Sequence, residues 1–443
     1  MKLSLPENSR MLEKDFTFGV ATASFQIEGG IDHRQPCIWD TFCAKSGTIA
    51  DKSDGSVACN HFNLWQQDVQ LIADMGVDAY RLSIAWGRVL NEDGSKNSAG
   101  VEFYRNLLRG LKTKNIKTFV TLYHWDLPQH LEDNGGWLNR QTAYAFRDYA
   151  DLISRELGDL VDSWATLNEP FCSSYLGYEA GIHAPGKGQQ SYGRKSAHHL
   201  LLAHGLAMQV LQKNCPDSMN GIVLNFTPGY SVSDSAEDMQ ATAYANDYFN
   251  WWYSRPIFEG KYPDIIDSFD DSIKPDIESG DMEIIATPID FLGVNFYTRA
   301  VYKAHPTSIF EEIPPSDVPL TDMGWEIYPQ AFTQLLSELH SRYSLPPIYI
   351  TENGAAMPDQ LTAGVVNDLG RIQYYQDHMN AVNAAIDVGV NVQGYFGWSL
   401  MDNFEWALGY TKRFGLVYVD YDTQQRYVKE SGKAYTKLIT SRS

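Results

Sequence analysis

The sequence predicts an α/β fold made of one (β/α)8 barrel, a TIM barrel with long loops after its strands. Eight short runs rich in β-branched and aromatic residues recur along the 443-residue chain, and amphipathic helical patterns separate them. No Gly/Ser-rich linker or low-complexity tract divides the chain, so we expect a single domain over residues 1–443. A doubly wound sheet is the alternative, but no G-x-G-x-x-G motif follows the first run to support it.

The strand candidates share a short apolar run that ends in polar side chains. They cover residues 16–26, 79–86, 117–125, 162–168, 221–226, 290–297, 347–352 and 392–400.

The stretches between these runs repeat apolar residues at helical spacing. In residues 63–75, for example, Val69, Ile72 and Met75 recur at this spacing before Gly76, a residue that commonly ends a helix. Comparable patterns cover residues 99–114, 141–158, 196–213, 239–252, 327–343 and 366–388.

Composition excludes several classes of protein. The chain has 35 Lys and Arg against 55 Asp and Glu, a formal net charge of −20, whereas a nucleic-acid-binding surface needs an excess of basic residues. Its 44% hydrophobic and 20% charged residues indicate a folded protein. No run of 18 apolar residues occurs, so we expect no membrane span. Aromatic residues make up 13% of the chain; we assign most of them to the core, although sugar-binding clefts also use such rings.

Cysteine and histidine usage predicts neither disulfides nor a metal site. The five cysteines form no C-x-x-C pair, which favours free thiols in a reducing compartment and a cytoplasmic protein. Pro6 and Glu7 interrupt the N-terminal stretch, so we expect no secretion signal. His198, His199 and His204 show no H-E-x-x-H spacing, and we interpret them as packing or solvated histidines.

Polar and aromatic residues follow the predicted strands where a barrel of this type carries its chemistry. Glu169 follows the fourth run and Glu352 ends the seventh. A single glutamate at a strand end is usually a solvated charge, but two that face one barrel mouth suit glycoside hydrolysis, which needs one protonated and one ionised carboxyl group. Further residues at these ends are Gln26, Arg81, His124, Asn168, Asn295, Tyr297, Trp398, Glu405 and Trp406.

The motifs around these residues resemble those of the glycoside hydrolase family 1 β-glycosidases. The resemblance covers nearly the whole chain in the family's order, and it implies retaining hydrolysis through a covalent glycosyl-enzyme, without a cofactor. The motifs are FTFGVATASFQIEG, YRLSIAW, TLYHWDLP, TLNEP, GVNFY, ITENG, GYFGWSLMDNFEW and KRFGLVYVDY.

The resemblance implies a role for each residue near the reacting centre. Glu169 is similar to the family's general acid/base and Glu352 to its nucleophile. Arg81 and Tyr297 are similar to residues that contact the nucleophile, and Asn295 to one that supports Glu169. We expect the negative charge of Glu352 to raise the pKa of Glu169 and keep it protonated for leaving-group donation.

The resemblance also implies a sugar pocket. Asn168 corresponds to the contact with the sugar 2-hydroxyl, Trp398 to the platform under the ring, and Trp325 to the aromatic residue at the aglycone entrance. The other implied hydroxyl contacts are Gln26, His124, Glu405 and Trp406.

We therefore predict a β-glucosidase acting on β-glucosides and cello-oligosaccharides, with β-galactosides and β-fucosides left open. A 6-phospho-β-glycosidase is one alternative, disfavoured because the Glu405 carboxylate would repel a phosphate. A catalytically inactive glycan-binding barrel is another, disfavoured because both glutamates are present.

The expected partner is a small-molecule β-glycoside, with no nucleic acid and no membrane, and a homo-oligomer is left open. Phe171 borders the aglycone side, which leaves aglycone preference open.

Overall fold

The computed structural model describes residues 2–442, and its centre is a closed barrel of eight parallel strands in the order β1-β13-β10-β7-β5-β4-β3-β2. Helices lie between consecutive barrel strands, so the predicted (β/α)8 fold is confirmed. The strands of the whole structure, in chain order, are β1 Thr17–Ala21, β2 Ala79–Ser83, β3 Lys117–Tyr123, β4 Ser163–Asn168, β5 Met219–Phe226, β6 Gly229–Ser231, β7 Phe291–Phe296, β8 Ala300–His305, β9 Ile309–Glu312, β10 Ile348–Asn353, β11 Leu361–Thr362, β12 Val365–Val366, β13 Val392–Trp398, β14 Val417–Val419 and β15 Arg426–Val428.

Every predicted strand overlaps one barrel strand, but the first was predicted too long. Strand β1 ends at Ala21, and residues 24–27 form a short helix instead of continuing the strand. The turn is fixed by the backbone N–H of Ser24, which donates to Ser83 Oγ on β2 at 2.7 Å. Gln26 therefore lies on a helix after the strand and not at its end.

The helices fill the connections between barrel strands. The pattern at 239–252 is divided, because a π-helical stretch over Asp247–Trp251 separates two helices. The helices are α1 Ser24–Ile27, α2 Ile38–Cys43, α3 His61–Asp74, α4 Trp86–Val89, α5 Ser98–Thr113, α6 Gln129–Asp133, α7 Gln141–Leu157, α8 Gln190–Asn214, α9 Ala236–Asn246, α10 Trp252–Glu259, α11 Asp281–Ile285, α12 Gln330–Arg342, α13 Leu369–Asp387 and α14 Glu430–Thr440.

Three small sheets lie outside the barrel, and the sequence analysis did not predict their strands. Strands β6, β8 and β9 form one of them, and β11–β12 and β14–β15 form two antiparallel pairs. All of these strands lie in the connections after barrel strands, where they shape the walls above the barrel.

The core has two layers. Phe119, Val223, Phe291 and Phe396 pack inside the barrel, while a larger apolar cluster fills the space between the strands and the surrounding helices. Trp86, Trp137, Trp164, Trp251 and Trp252 are buried in the outer cluster and Trp65 packs against it, which confirms their expected packing role. No helix within residues 2–442 is long and apolar enough to cross a membrane.

Candidate active site

Glu169 and Glu352 face the same cavity although they come from barrel strands that are not neighbours. Glu169 follows β4 and Glu352 lies in β10. The two residues are only 5% and 3% exposed, and both line a cavity of about 360 Å³. The predicted meeting of two carboxyl groups is therefore present in the structure.

The carboxyl group of Glu352 is held by a cation and a hydroxyl. Arg81 Nη1 donates to Oε1 at 2.6 Å, and the Tyr297 hydroxyl donates to Oε2 at 2.6 Å. Burial and the charge of Glu352 raise the pKa of Tyr297 well above its usual value, so the phenol keeps its proton. Both oxygens of Glu352 thus accept a hydrogen bond, a pattern that stabilises the ionised form.

The carboxyl group of Glu169 has neutral partners. Asn295 Nδ2 donates to Oε1 at 2.6 Å, and the Cys172 thiol donates to Oε2 at 3.0 Å. Burial, followed by the negative charge of Glu352, raises the pKa of Glu169 to about 7. The expected direction is thus present, but desolvation is its larger cause because the side chain is almost fully buried.

Asn168 connects the surroundings of the two glutamates. Its Oδ1 accepts from Arg81 Nη2 at 2.7 Å and from Asn295 Nδ2 at 3.1 Å. Its Nδ2 lies 3.1 Å from His124 Nε2. One amide therefore fixes the positions of groups that contact Glu352 and Glu169.

Burial leaves three polar atoms of the predicted sugar-binding residues without a hydrogen-bond partner among residues 2–442. They are Gln26 Oε1, His124 Nδ1 and Glu405 Oε2. Gln26 is held through its Nε2, which donates to Asn403 Oδ1 at 3.0 Å and to the Phe404 carbonyl at 2.8 Å. Because buried polar atoms are nearly always paired, the two of these that line the cavity, on His124 and Glu405, are open to a polar ligand.

Glu405 differs electrostatically from the sequence-based expectation. Burial, and then the charges of Glu352 and Glu169, raise its pKa to about 8. In the ligand-free cavity Glu405 is therefore mostly protonated at neutral pH, and repulsion by its charge is a weak argument against a phosphate. A stronger one is that Arg299, the only Lys or Arg lining the cavity among the described residues, is bound through two nitrogens to Glu326.

Aromatic rings form the walls of the cavity. The His124 ring stacks against Trp398 and Trp406 with centroids 5.9 and 6.0 Å away. At the outer side, Trp325 packs on Tyr297 with a centroid distance of 5.4 Å. The predicted aromatic residues Trp325, Trp398 and Trp406 thus all line one cavity.

The predicted residues fall into two groups. Arg81, Asn168 and Gln26 do not line the cavity. Arg81 and Asn168 contact the lining residues Glu352 and Asn295 from behind, whereas Gln26 bonds to Asn403 and Phe404, which do not line it. The predicted residues that line it are His124, Glu169, Asn295, Tyr297, Trp325, Glu352, Trp398, Glu405 and Trp406.

Sequence reasoning left Trp125 and Cys172 out of the site. Trp125 lines the cavity, packs at a tilt of 36° on Trp406 with centroids 4.5 Å apart, and donates from Nε1 to the Asn168 carbonyl at 2.9 Å. Cys172 lies three residues after Glu169, but the turn that brings the two side chains together leads into a π-helix, which the sequence pattern did not indicate.

Backbone geometry also marks this cavity. Trp125, Glu169 and Trp406 have φ values of +74°, +47° and +49°. Left-handed conformations are costly for non-glycine residues and are concentrated at functional sites. Their occurrence at three cavity-lining positions indicates that the surrounding contacts hold these side chains in place.

The histidines of α8 lie elsewhere and are buried, so they pack and are not solvated. His198 contacts Tyr262 and Asp281, His199 the carbonyl of Trp137, and His204 the hydroxyl of Thr166. Across the described residues, no group of three or more His, Cys, Asp or Glu is arranged to hold a metal ion.

Comparisons with known proteins match almost the entire chain. The profile described as Glycosyl hydrolase family 1 matches residues 8–443. A β-glucosidase from Agrobacterium sp. is 44% identical over 96% of this chain and 95% of its own length. β-Glucosidase A from Thermotoga maritima is 40% identical over 98% of both chains. The crystal structure of the family 1 β-glucosidase from Exiguobacterium antarcticum B7 superposes with a TM-score of 0.93 at 42% identity, covering 100% of this chain and 99% of that one.

Proposed function

The chain belongs to glycosyl hydrolase family 1, and we propose that it is a retaining β-glucosidase. It removes the non-reducing terminal β-D-glucosyl residue of β-glucosides and cello-oligosaccharides. The proposal rests on one observation: two buried carboxyl groups share a cavity, and one has a cationic partner while the other has neutral partners. Glu352 is paired with the Arg81 guanidinium, and Glu169 is bound by the neutral donors Asn295 and Cys172.

In the first step Glu352 attacks the anomeric carbon and Glu169 gives its proton to the departing oxygen. The contacts of Arg81 and Tyr297 hold the Glu352 oxygens in place for attack. The pKa of Glu169, raised to about 7 mainly by burial, keeps this group protonated in weakly acidic solution. The products of this step are the free aglycone alcohol and a covalent glycosyl ester on Glu352.

In the second step Glu169 acts as a base toward water. Ester formation removes the negative charge of Glu352, which is one of the causes of the raised pKa of Glu169. The pKa of Glu169 therefore falls once the ester has formed. Glu169 stays ionised and can accept a proton from the attacking water. Water attacks from the face opposite the ester, so glucose leaves with the β configuration of the substrate.

Recognition of the sugar is assigned to the polar atoms that the protein leaves unpaired. His124 Nδ1 and Glu405 Oε2 are buried, line the cavity and are available to sugar hydroxyls; Gln26 Oε1 is also unpaired but lies behind the lining, and we assign it a hydroxyl contact from the family resemblance. Burial holds the pKa of His124 well below its usual value, so the ring is neutral. We assign the 2-hydroxyl to Asn168, further hydroxyl contacts to the Trp406 indole, and the apolar face of the ring to Trp398.

The aglycone side is apolar at its outer end. Phe171, Leu176, Met323 and Trp325 line this part of the cavity. We propose that Trp325 packs against the first group beyond the scissile bond. We also propose a cytoplasmic location, because all five cysteines are free and free thiols persist in a reducing compartment.

A panel of substrates tests this function. We expect hydrolysis of p-nitrophenyl β-D-glucoside and cellobiose, with retention seen by NMR as initial release of β-glucose. Aryl β-D-galactoside, aryl β-D-fucoside and laminaribiose measure how strictly the pocket selects epimer and linkage. Preference for a 6-phosphoglucoside, or initial release of α-glucose, would contradict the proposal, and Glu352→Ala serves as the inactive control.

A further inference from the structure

Cys172 contacts the carboxyl group of Glu169 from the next turn of the same segment. A π-helix begins at Cys172, and the Cys172 backbone N–H donates to the Glu169 carbonyl at 2.9 Å. This turn directs the thiol toward the cavity, which it lines, with Sγ 3.0 Å from Glu169 Oε2. The side chain is buried, and the role assigned to Glu169 does not require a cysteine beside it.

We propose that Cys172 is a positioning residue whose thiol donates to Oε2 of ionised Glu169 and thereby sets the alkaline limit of hydrolysis. The inference rests on the proposed function, because it assumes that Glu169 acts as the acid/base. In this inference the Cys172 thiol contacts Glu169 Oε2, the oxygen from which the proton is donated.

The assignment of the mobile proton to Oε2 follows from the contacts of Asn295. Asn295 Oδ1 accepts from the Thr351 hydroxyl at 2.7 Å, which fixes the orientation of the amide. Its Nδ2 hydrogens are used by Asn168 Oδ1 and Glu169 Oε1. Oε1 therefore faces a donor in both protonation states, and the exchangeable proton belongs on Oε2.

A thiol is suited to this position because it is a weak donor and a weak acceptor. When Glu169 is ionised, the S–H group stabilises the charge on Oε2. When Oε2 is protonated, the S–H group can rotate away at little cost and leave the O–H free to point at the leaving oxygen. Burial and the charge of Glu169 raise the pKa of Cys172 well above its usual value, so the thiol remains a donor.

Other ionisable groups near Glu169 are present in every variant of the test. Glu352 and Arg81 act on the charge of Glu169, and Glu169 in turn acts on Tyr297 and Glu405. His124 and His183 line the same cavity, and burial lowers the pKa of each. Because these groups are the same in every variant, a shift of the pH profile in a Cys172 variant is caused by the change at the thiol.

The test compares Cys172→Val, which has a similar volume and no donor, with Cys172→Ser, which keeps one. The measurement is kcat/KM against pH for phenyl β-D-glucoside, a substrate that needs leaving-group protonation. We expect Cys172→Val to move the alkaline limb up by about 0.5–1 pH unit, because the ionised form loses a hydrogen bond.

Cys172→Ser should hold the limb at or below the wild-type position. Cys215→Val, a buried cysteine that bonds to the Ser154 carbonyl away from the cavity, should change nothing.

The inference is overturned if the valine and wild-type limbs coincide, or if valine and serine shift the limb together. A second measurement needs no turnover. Titration of the Glu169 carboxyl carbon by ¹³C NMR, assigned with Glu169→Gln, should give a higher Glu169 pKa in Cys172→Val than in the wild type, and in Cys172→Ser a pKa at or below the wild-type value. If the wild-type protein hydrolyses no aryl glucoside, the proposed function fails, and the titration still decides whether the thiol acts on Glu169.

Discussion

Arg81 and Glu352 form a buried ion pair at the base of the cavity, with Nη1 donating to Oε1 at 2.6 Å. The same guanidinium donates through Nη2 to Asn168 Oδ1 at 2.7 Å. A buried carboxylate is costly unless an opposite charge and hydrogen bonds compensate its lost hydration. The pair therefore compensates the burial of the Glu352 carboxyl group and fixes its orientation, and it connects the proposed nucleophile to the amide that we assign to the sugar 2-hydroxyl.

Glu352→Ala should abolish turnover of aryl β-D-glucosides while the protein stays folded. The substitution removes the attacking oxygen and leaves space for a small anion on the same face of the sugar. Added azide should restore cleavage of 2,4-dinitrophenyl β-D-glucoside and give the α-glucosyl azide, which NMR identifies. Formation of the β-azide, or near wild-type activity without azide, would contradict the assignment of the nucleophile.

Glu169→Ala should affect substrates according to their leaving group. Phenyl β-D-glucoside, which needs a proton on its departing oxygen, should lose about 10²–10⁴-fold in kcat/KM. 2,4-Dinitrophenyl β-D-glucoside leaves without protonation and should lose much less. Glu283→Gln, at an exposed position of α11, is the control. An equal loss on both substrates would refute the acid role.

The barrel and most site positions could be predicted from the sequence because the signals are local. A barrel strand is buried on both faces, so runs such as Ile222, Val223 and Leu224 stand out from the polar helix surfaces around them. The polar residue that ends such a run must reach the barrel mouth. The position of Glu352 at the barrel mouth could therefore be predicted from the sequence.

The remaining features depend on contacts between segments distant in sequence. The end of β1 is set by the bond from Ser24 to Ser83 on the neighbouring strand, so the apolar pattern alone extended the strand too far. The protonation of Glu405 depends on burial and on two other carboxyl groups that meet only in the folded barrel. The Cys172 contact depends on a π-helical turn, which has no sequence signal comparable to a strand.

Glu405→Gln should make the thermal stability of the protein less sensitive to pH. The folded protein raises the pKa of Glu405 from about 4.5 to about 8. Between these values the folded state binds more protons than the unfolded chain, so stability falls as pH rises from 5.5 to 8. Glutamine cannot ionise and removes this loss. The advantage in Tm of Glu405→Gln over the wild type should therefore grow by about 2–4 °C between pH 5.5 and pH 8.

Scanning calorimetry of the ligand-free proteins at both pH values checks this. Glu169, whose pKa is also raised, contributes the same sign of pH dependence in both proteins. Glu283→Gln should follow the wild type at both pH values. A Tm difference between Glu405→Gln and wild type that does not change with pH would show that Glu405 is ionised throughout this range in the folded protein.

A buried ion network holds the segment that carries Glu405. Lys429 Nζ donates to Asp402 Oδ1 at 2.6 Å and to Asp359 Oδ2 at 2.5 Å. Asp402 also accepts from Arg413 Nη1 at 2.6 Å and lies three residues before Glu405. The lysine is completely buried, so the network joins the C-terminal segment to the loop after β13 without help from solvent.

Lys429→Met should destabilise the fold by about 3–5 kcal/mol, because it leaves buried Asp402 and Asp359 with one cation fewer. Lys433→Met, in helix α14, which begins directly after Lys429, is the matched control: its ion pair with Glu430 is exposed, and such pairs contribute about 0–1 kcal/mol. Urea unfolding at pH 7 measures both losses. Since Asp402 precedes Glu405 and Trp406, to which we assign sugar contacts, Lys429→Met should also raise KM for aryl glucosides more than it lowers kcat. Equal stability losses in the two variants would mean that the buried network contributes no more than a surface pair.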